Sequence, residues 1–367
     1  MQREELQSKF LQESLNDKNI LFNFYTGFGK TKVCVDRIRM SGSRKQWLII
    51  VPKIVLQKNF LDDYEKWGGD LSLIKDVICY NSLYKYEGVN YNVVCDEAHH
   101  CTEDVCKSLE KIGSDERIFL SATISEEIMS RIDSYFRLRR YRYTLQEGIK
   151  DGIAPEQDIR VVRVNLDDKQ KIWEHKMGKN VYKYTALYKY RRMSELIEYW
   201  KFKYFADNSD FLKNRWMKAA LDRKNFMAEY KVPICKQLME KLDNEDRRGI
   251  VFVNSVNQAI ELGGKNSVHS KQSSKINSNI IEKFNNFEVN TLFTKDILSE
   301  GINLSSLDYG LFLHIDHSEG RVGQKMGRVS TRAEFPVLYV IVINNTKDET
   351  NFNELFKDYK KYITEYE

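Results

Sequence analysis

Two short stretches of this chain carry residue types that can handle phosphate. In Thr26-Gly27-Phe28-Gly29-Lys30-Thr31, two glycines free the backbone, and a lysine and a threonine follow at once. The stretch comes after the apolar run Asn19-Ile20-Leu21-Phe22-Asn23-Phe24 and before a helical pattern from Thr31 to Met40. A strand, a glycine turn and a helix N-terminus aim backbone N–H groups at one spot, which suits phosphate oxygens. Thr26, Gly27, Phe28 and Gly29 would form that cradle. Lys30 would reach the β- and γ-phosphates of a nucleotide, and Thr31 would ligate Mg²⁺. The full spacing asks for a small residue at position 24, where this chain has Phe24.

The second stretch is Asp96-Glu97-Ala98-His99, at the end of the strand-like run Tyr91-Asn92-Val93-Val94-Cys95. Two adjacent carboxylates can divide the work. Asp96 would hold Mg²⁺, and Glu97 would polarise an attacking water. Cys95, His99, His100, Cys101 and Cys106 fall close together and invite a zinc reading. Their spacing has no C-x₂-C or H-x₃-H pair, and no second ligand pair follows, so they read as buried thiols and bystanders.

These residues need a scaffold, and the flanking pattern provides one. Residues 3–16 place Leu6, Phe10, Leu11 and Leu15 at helical spacing. Strand-like runs at 19–24, 47–51, 77–80, 91–95 and 117–120 alternate with helical stretches. The same alternation returns with strands at 249–253, 291–294, 310–315 and 337–343. Such alternation predicts parallel sheets with ligands at the strands' C-terminal ends. The expected fold class is α/β, with two parallel-sheet domains in tandem and a helical insertion. The boundaries are 1–146 for the first domain, 147–158 for a Gly/Pro hinge, and 159–367 for the second. The insertion spans about 169–242 within the second domain. At 367 residues, two domains also match the length.

With these elements in place, the chain resembles a superfamily 2 helicase of the DEAD/DEAH-box type, built on two RecA-like domains. Thr26–Thr31 resembles motif I, and Asp96–His99 is similar to a DEAH box. Val51-Pro52-Lys53 resembles motif Ia, and Tyr80-Asn81-Ser82-Leu83 the segment before motif II. Ser121-Ala122-Thr123 resembles motif III, and Ile250–Asn254 motif IV. Thr294, Glu300, Gly301 and Asn303 resemble motif V, and Gln324-Lys325-Met326-Gly327-Arg328 motif VI. The resemblance implies ATP and Mg²⁺ between the two domains. It implies catalytic roles for Lys30, Asp96, Glu97, Gln324, Arg328 and Arg332, and nucleotide contacts from Gly301 and Asn303. It implies strand contacts from Pro52, Lys53, Asn81, Ser82, Asn254, His269 and Thr294. Motif VI is shifted here: the position of the usual second arginine is Thr331, with Arg332 one residue later. Position 303, usually Asp, is Asn303. For an upstream glutamine that would contact the nucleotide, Gln7 has the better spacing to Lys30. Gln2 and Gln12 compete, and a solvent-facing helix glutamine is an equal alternative for each.

The charge is uneven. Residues 182–231 hold twelve Lys/Arg against six Asp/Glu, a net +6, while the whole chain carries only +5. The same fifty residues hold thirteen aromatics. Basic groups neutralise phosphates and aromatic faces stack on bases, so Arg191, Arg192, Arg223 and Lys224 are expected strand contacts. The bland alternative is an amphipathic helix pair that buries its rings and solvates its lysines. No β-hairpin wedge is recognisable in the sequence.

The composition excludes other classes. No run of 18 apolar residues is present, so no membrane helix is expected. The N-terminal stretch lacks an apolar signal core, and six cysteines without framework spacing read as reduced thiols. The expected place is the cytoplasm, a host's if the chain is viral. Its Lys-, Asn-, Ile- and Tyr-rich usage is compatible with a phage genome. DNA (single-stranded, forked or branched) is expected over RNA as the partner, together with replication or repair proteins. The insert's position resembles the compact phage and repair helicases. A translocase without strand separation and a nucleotide-gated binding module are the alternatives.

Overall fold

The computed structural model describes residues 2–177, 179–295, 304–315, 319–330 and 336–366, with the backbone alone at 55, 175–177, 180, 319–321, 324, 328 and 330. The first lobe runs α1 (Arg3–Ser14), β1 (Asn19–Phe24), α2 (Lys30–Arg39), β2 (Trp47–Val51), α3 (Val55–Lys66), β3 (Ile74–Cys79), β4 (Asn92–Cys95), α4 (Glu103–Glu110), β5 (Arg117–Ser121), α5 (Glu126–Phe136), β6 (Arg139–Tyr143) and α6 (Leu145–Lys150). Its strands lie in the order β3-β2-β4-β5-β1-β6, all parallel. Every residue of β2 and of β4 is buried, because helices cover both faces of a parallel sheet.

Strand β6 is not apparent in the sequence. Its residues Arg139-Arg140-Tyr141-Arg142-Tyr143 alternate, with both tyrosines buried and the three arginines exposed. A charged, half-solvated strand fits only a sheet edge, and β6 lies at one. Tyr141 and Tyr143 complete an aromatic core beneath the glycine turn. There Phe10 meets Phe24 at 4.8 Å, and Phe24 meets Phe28 edge-on at 4.9 Å. Phe24 is thus the last residue of β1, with its ring packed behind the turn.

The expected hinge is largely folded. Thr144 and Glu147 form a reciprocal capping box that starts α6, and the Cβ position of Gly148 lies against the Tyr25 ring. The Arg3 guanidinium donates to the Ile153 carbonyl at 3.0 Å. Irregular backbone remains at Pro155-Glu156-Gln157 before the second sheet starts.

The second lobe opens with β7 (Asp158–Val164), then a hairpin of β8 (Trp173–Met177) and β9 (Asn180–Tyr184). Next come α7 (Ala186–Asp207), α8 (Asp210–Tyr230), α9 (Val232–Asn244), β10 (Gly249–Phe252), α10 (Val256–Gly263), β11 (Ser267–Val268) and α11 (Ser274–Asn285). The described chain closes with β12 (Thr291–Thr294), β13 (Tyr309–Phe312), α12 (Glu319–Ser330), β14 (Val337–Ile343), α13 (Lys347–Leu355) and β15 (Ile363–Glu365). The sheet order is β11-β12-β10-β13-β14-β7-β15, again parallel throughout. The stretch expected to be helical therefore begins with the antiparallel hairpin β8–β9. Helix α9 buries Cys235, Leu238, Met239 and Leu242 in the core of the second sheet. A 3₁₀ segment, Lys357–Tyr362, leads into edge strand β15.

An ion pair anchors the insertion. Lys231 Nζ lies 2.6 Å from Asp348 Oδ2, and both side chains are wholly buried. Asp348 also accepts from the Ile343 N–H at 2.9 Å. Burial pulls the Lys231 ammonium below its usual pKa, and the Asp348 carboxylate opposes that pull. Removing one partner strands the other charge in the core. Asp348→Ala is therefore expected to lower unfolding stability by about 3–5 kcal/mol. Urea unfolding followed by tryptophan fluorescence measures it; a loss below about 1 kcal/mol would refute a structural role for the pair.

Candidate functional site

The candidate phosphate loop sits between β1 and α2. Phe28 N–H donates to the Tyr25 carbonyl at 3.2 Å, which closes the turn. Gly29 follows at φ 101, a conformation that L side chains avoid, and caps α2 without any side-chain hydrogen bond. The first-turn amides of α2 thus face the loop without a side-chain cap. Gln7, buried on α1, donates its amide to the Phe28 carbonyl at 2.5 Å. A Cβ at position 29 would collide with that amide. Among the competing glutamines, Gln7 is the one placed on the loop.

The carboxylates follow β4, two strands away, with β5 between. Asp96 N–H donates to the Ile50 carbonyl at 2.8 Å, and Tyr80 Oη donates to the Asp96 carbonyl at 2.8 Å. Asp96 Oδ1 accepts from the Glu97 N–H at 3.0 Å. Glu97 has a left-handed backbone at φ 51, uncommon for a residue with a side chain. His99 Nδ1 lies 3.4 Å from Glu97 Oε2. Burial and the neighbouring Glu97 charge push the Asp96 carboxyl up to about 7, and Lys30 opposes them. Asp96 is thus a buried carboxyl beside a second acid, with Lys30 and His99 favouring its charged form. A divalent cation beside Asp96 and Thr31 would favour the same charged form.

The intervening loop is Ser121-Ala122-Thr123. Ser121 Oγ donates to the Thr123 carbonyl at 2.9 Å, and the Asn23 amide lies 3.2 Å from the Ser121 and Ala122 carbonyls. This loop is thereby tied to the strand that carries the phosphate loop. Cys95, Cys101 and Cys106 are buried behind it in an apolar cluster.

The second lobe reaches the same cleft through α12. Val322, Met326 and Val329 form its buried stripe against the sheet. On another side, a Cβ at Gly327 would lie 2.7 Å from Thr26 Cβ, and one at Gly323 would lie 3.5 Å from Thr123 Cγ2. Only a bare backbone lets α12 come this close to the phosphate loop. Gln324 and Arg328 lie on this helix, where only the backbone is described. Gly301, Asn303 and Arg332 lie outside the described residues.

The remaining expected strand contacts gather at the sheets' C-terminal edges. Val51 of β2 pairs with Cys79 of β3, which sets Pro52-Lys53 beside Asn81-Ser82. Lys53 and Asn81 are exposed. In the second sheet, Phe252 and Val268 both register with Thr294, so Asn254, His269 and Thr294 end neighbouring strands. Asn254 Oδ1, His269 Nδ1 and Thr294 Oγ1 are buried without hydrogen-bond partners among the described residues.

The four basic residues of the insertion differ in placement. Arg223 donates to Ser194 Oγ at 3.0 Å and lies over Tyr190, so it ties α8 to α7. Arg192 pairs with Glu195 at 2.8 Å. Lys224 is half-buried, and Arg191 is exposed. Two residues carry weight that sequence reasoning missed. Asn225 of α8 accepts from Asn254 Nδ2 at 2.8 Å, and Gln258 bonds both Asn254 N–H and the Ala228 carbonyl. No spacing signal marks either, because both join segments distant in sequence.

Residues 230–332 match the helicase conserved C-terminal domain. Among solved structures, the chain is similar to the Hef helicase domain of Pyrococcus furiosus at 12% identity, covering 95% of this chain and 97% of that one, with a TM-score of 0.52. It is also similar to S. cerevisiae Dbp5 bound to RNA and ADP BeF3 at 12% identity, covering 99% and 89%, with a TM-score of 0.59. Comparison with curated proteins finds none that matches. The two parallel sheets share the fold of these solved structures, and the domain match marks residues 230–332 of the second lobe as helicase-type.

Proposed function

We propose that this chain hydrolyses ATP between its two lobes to move along or remodel DNA, as a DEAH-box-like motor of the phage or repair type. The observation that carries the reading is the convergence of three parts on one cleft. These are the phosphate loop, the Asp96–Glu97 pair, and α12 with Gly327 set against Thr26. ATP phosphates would lie on the first-turn amides of α2, with Lys30 at the β- and γ-phosphates. Mg²⁺ held by Thr31 and Asp96 would draw charge from the phosphate oxygens. Glu97 would accept a proton from the attacking water as the bond between γ-phosphorus and the bridging oxygen breaks, leaving ADP and inorganic phosphate. The left-handed backbone at Glu97 turns this carboxylate away from the course of β4, and His99 sits close enough to hold it. DNA is favoured over RNA by the insert's resemblance to compact DNA helicases. No described helix is long and apolar enough to cross a membrane.

Phosphate release from ATP tests the reading, with and without single-stranded DNA, forked DNA and RNA. Stimulation by DNA supports it, and the preferred polymer names the partner. Nucleotide binding without turnover on any polymer would instead favour a nucleotide-gated binding module, the reading kept open by the shift from Thr331 to Arg332.

The Gln7 contact yields a further expected result. Gln7→Ala leaves the buried Phe28 carbonyl without its donor, a loss of about 1–3 kcal/mol. Nucleotide affinity is expected to fall about fivefold or more. Titration with a fluorescent ATP analogue measures it; unchanged affinity would place Gln7 outside the nucleotide site.

A further inference from the structure

We infer that the outward face of α7 is a stacking rail for a single nucleic-acid strand, continuous with the second lobe's strand-contact edge. The inference rests on the proposed function and specifies one of its contacts. The fold sorts the insertion's aromatics into two sets. Trp173 packs edge-on against Phe226 at 4.9 Å, Tyr204 stacks on Trp216 at 5.8 Å, and Tyr190 Oη accepts from the Lys347 N–H at 2.8 Å. These rings hold the insertion together. Tyr199 and Phe202 do not, at 51% and 72% exposed, and Tyr188 stacks on Tyr184 at 5.0 Å yet is still 47% exposed.

Among the exposed rings of α7, which also include Phe205, these three share one side of the helix. Spacings of 11 and 14 residues at 3.6 residues per turn return to nearly the same direction. The rise places Phe202 roughly 21 Å from Tyr188 along the axis. Arg191 and Lys203 lie on the same side, and both are exposed. Lys203 sits 5.8 Å from the Tyr199 ring centre. Exposed rings in line, with Arg191 between them and Lys203 beside Phe202, suit bases and phosphates in alternation, and Glu195 on the same side is held by Arg192 at 2.8 Å. A duplex has its bases stacked on one another and offers them no faces, so the fitting occupant is an unpaired strand.

Position supports the same occupant. The insertion is rooted at the end of β10, where Asn225 of α8 bonds Asn254. Asn254 stands beside His269 and Thr294, the expected strand contacts of the second sheet. A strand leaving that edge would meet the insertion next.

The test is fluorescence anisotropy of a labelled oligothymidylate and a labelled hairpin duplex. The full chain is compared with Tyr199→Ala/Phe202→Ala and with the ring-preserving Tyr199→Phe/Phe202→Tyr. Thermal melts of all three check folding. The alanine pair is expected to weaken oligothymidylate binding roughly thirtyfold or more, the ring-preserving pair to hold it within about threefold, and duplex binding to change little. Equal loss of single-strand and duplex binding would overturn the rail. So would unchanged single-strand affinity, and that outcome leaves the proposed function standing. If the unaltered chain binds no nucleic acid at all, the proposed function fails and this inference fails with it. A dimer in sedimentation that the alanine pair dissolves would assign the face to self-association and overturn the inference.

Discussion

Replacing Arg328 with alanine is expected to slow ATP turnover by ~10³–10⁵-fold, the usual worth of an arginine finger in phosphoryl transfer. The reason is where α12 lies. Gly327 brings the helix backbone against Thr26 of the phosphate loop, and Arg328 is the next residue. A cation delivered there from the second lobe would neutralise charge that grows on the γ-phosphate as the bond breaks. Nucleotide affinity is expected to change less, because Lys30 and the α2 amides serve the ground state as well. Single-turnover hydrolysis and equilibrium nucleotide binding separate the two effects. A loss of affinity that matched the loss of rate would make Arg328 a general binding residue and remove its finger role. Gly327→Val offers an independent check. Its side chain would meet Thr26 and hold the lobes apart, so turnover should fall although Arg328 is intact.

The second large effect belongs to Glu97. Glu97→Gln keeps the size and removes the proton acceptor. General-base catalysis contributes about 10²–10⁴-fold, and turnover should fall by that amount. The polymer-stimulated rate should fall with the basal rate, since both need the same base. Asp96 is the contrasting neighbour, with its carboxyl already pushed up to about 7 by burial and by the Glu97 charge. Removing that charge lets Asp96 ionise more readily, so Glu97→Gln should not lose Mg²⁺-dependent nucleotide binding. Phosphate release and nucleotide titration at fixed Mg²⁺ test both halves. A variant that hydrolysed ATP at the unaltered rate would assign the base to another group.

Local chemistry wrote much of this protein into its sequence. The apolar runs at Trp47–Val51 and Val337–Ile343 are buried strands, because a strand covered on both faces must be apolar throughout. The glycine turn before α2 and the adjacent carboxylates after β4 stood out in the sequence because backbone freedom, a cation and two acids occur there at short, fixed spacing. The two-sheet fold followed from alternating strand and helix patterns. The tertiary structure alone decided other matters. It selected Gln7 among three glutamines, since only packing against the Phe28 carbonyl distinguishes them. It placed Phe24 behind the loop, because Phe10, Phe28 and Tyr143 build an aromatic floor from three separate segments. It showed the short charged strand β6 and the hairpin β8–β9, whose stability comes from neighbours rather than from apolar content. It divided the insertion's rings into those that pack and those that face solvent, and tied Arg223 to Ser194. Spacing along a chain records what one element does alone. Which side chain meets which across elements is set by packing, and that is where Gly327 meets Thr26.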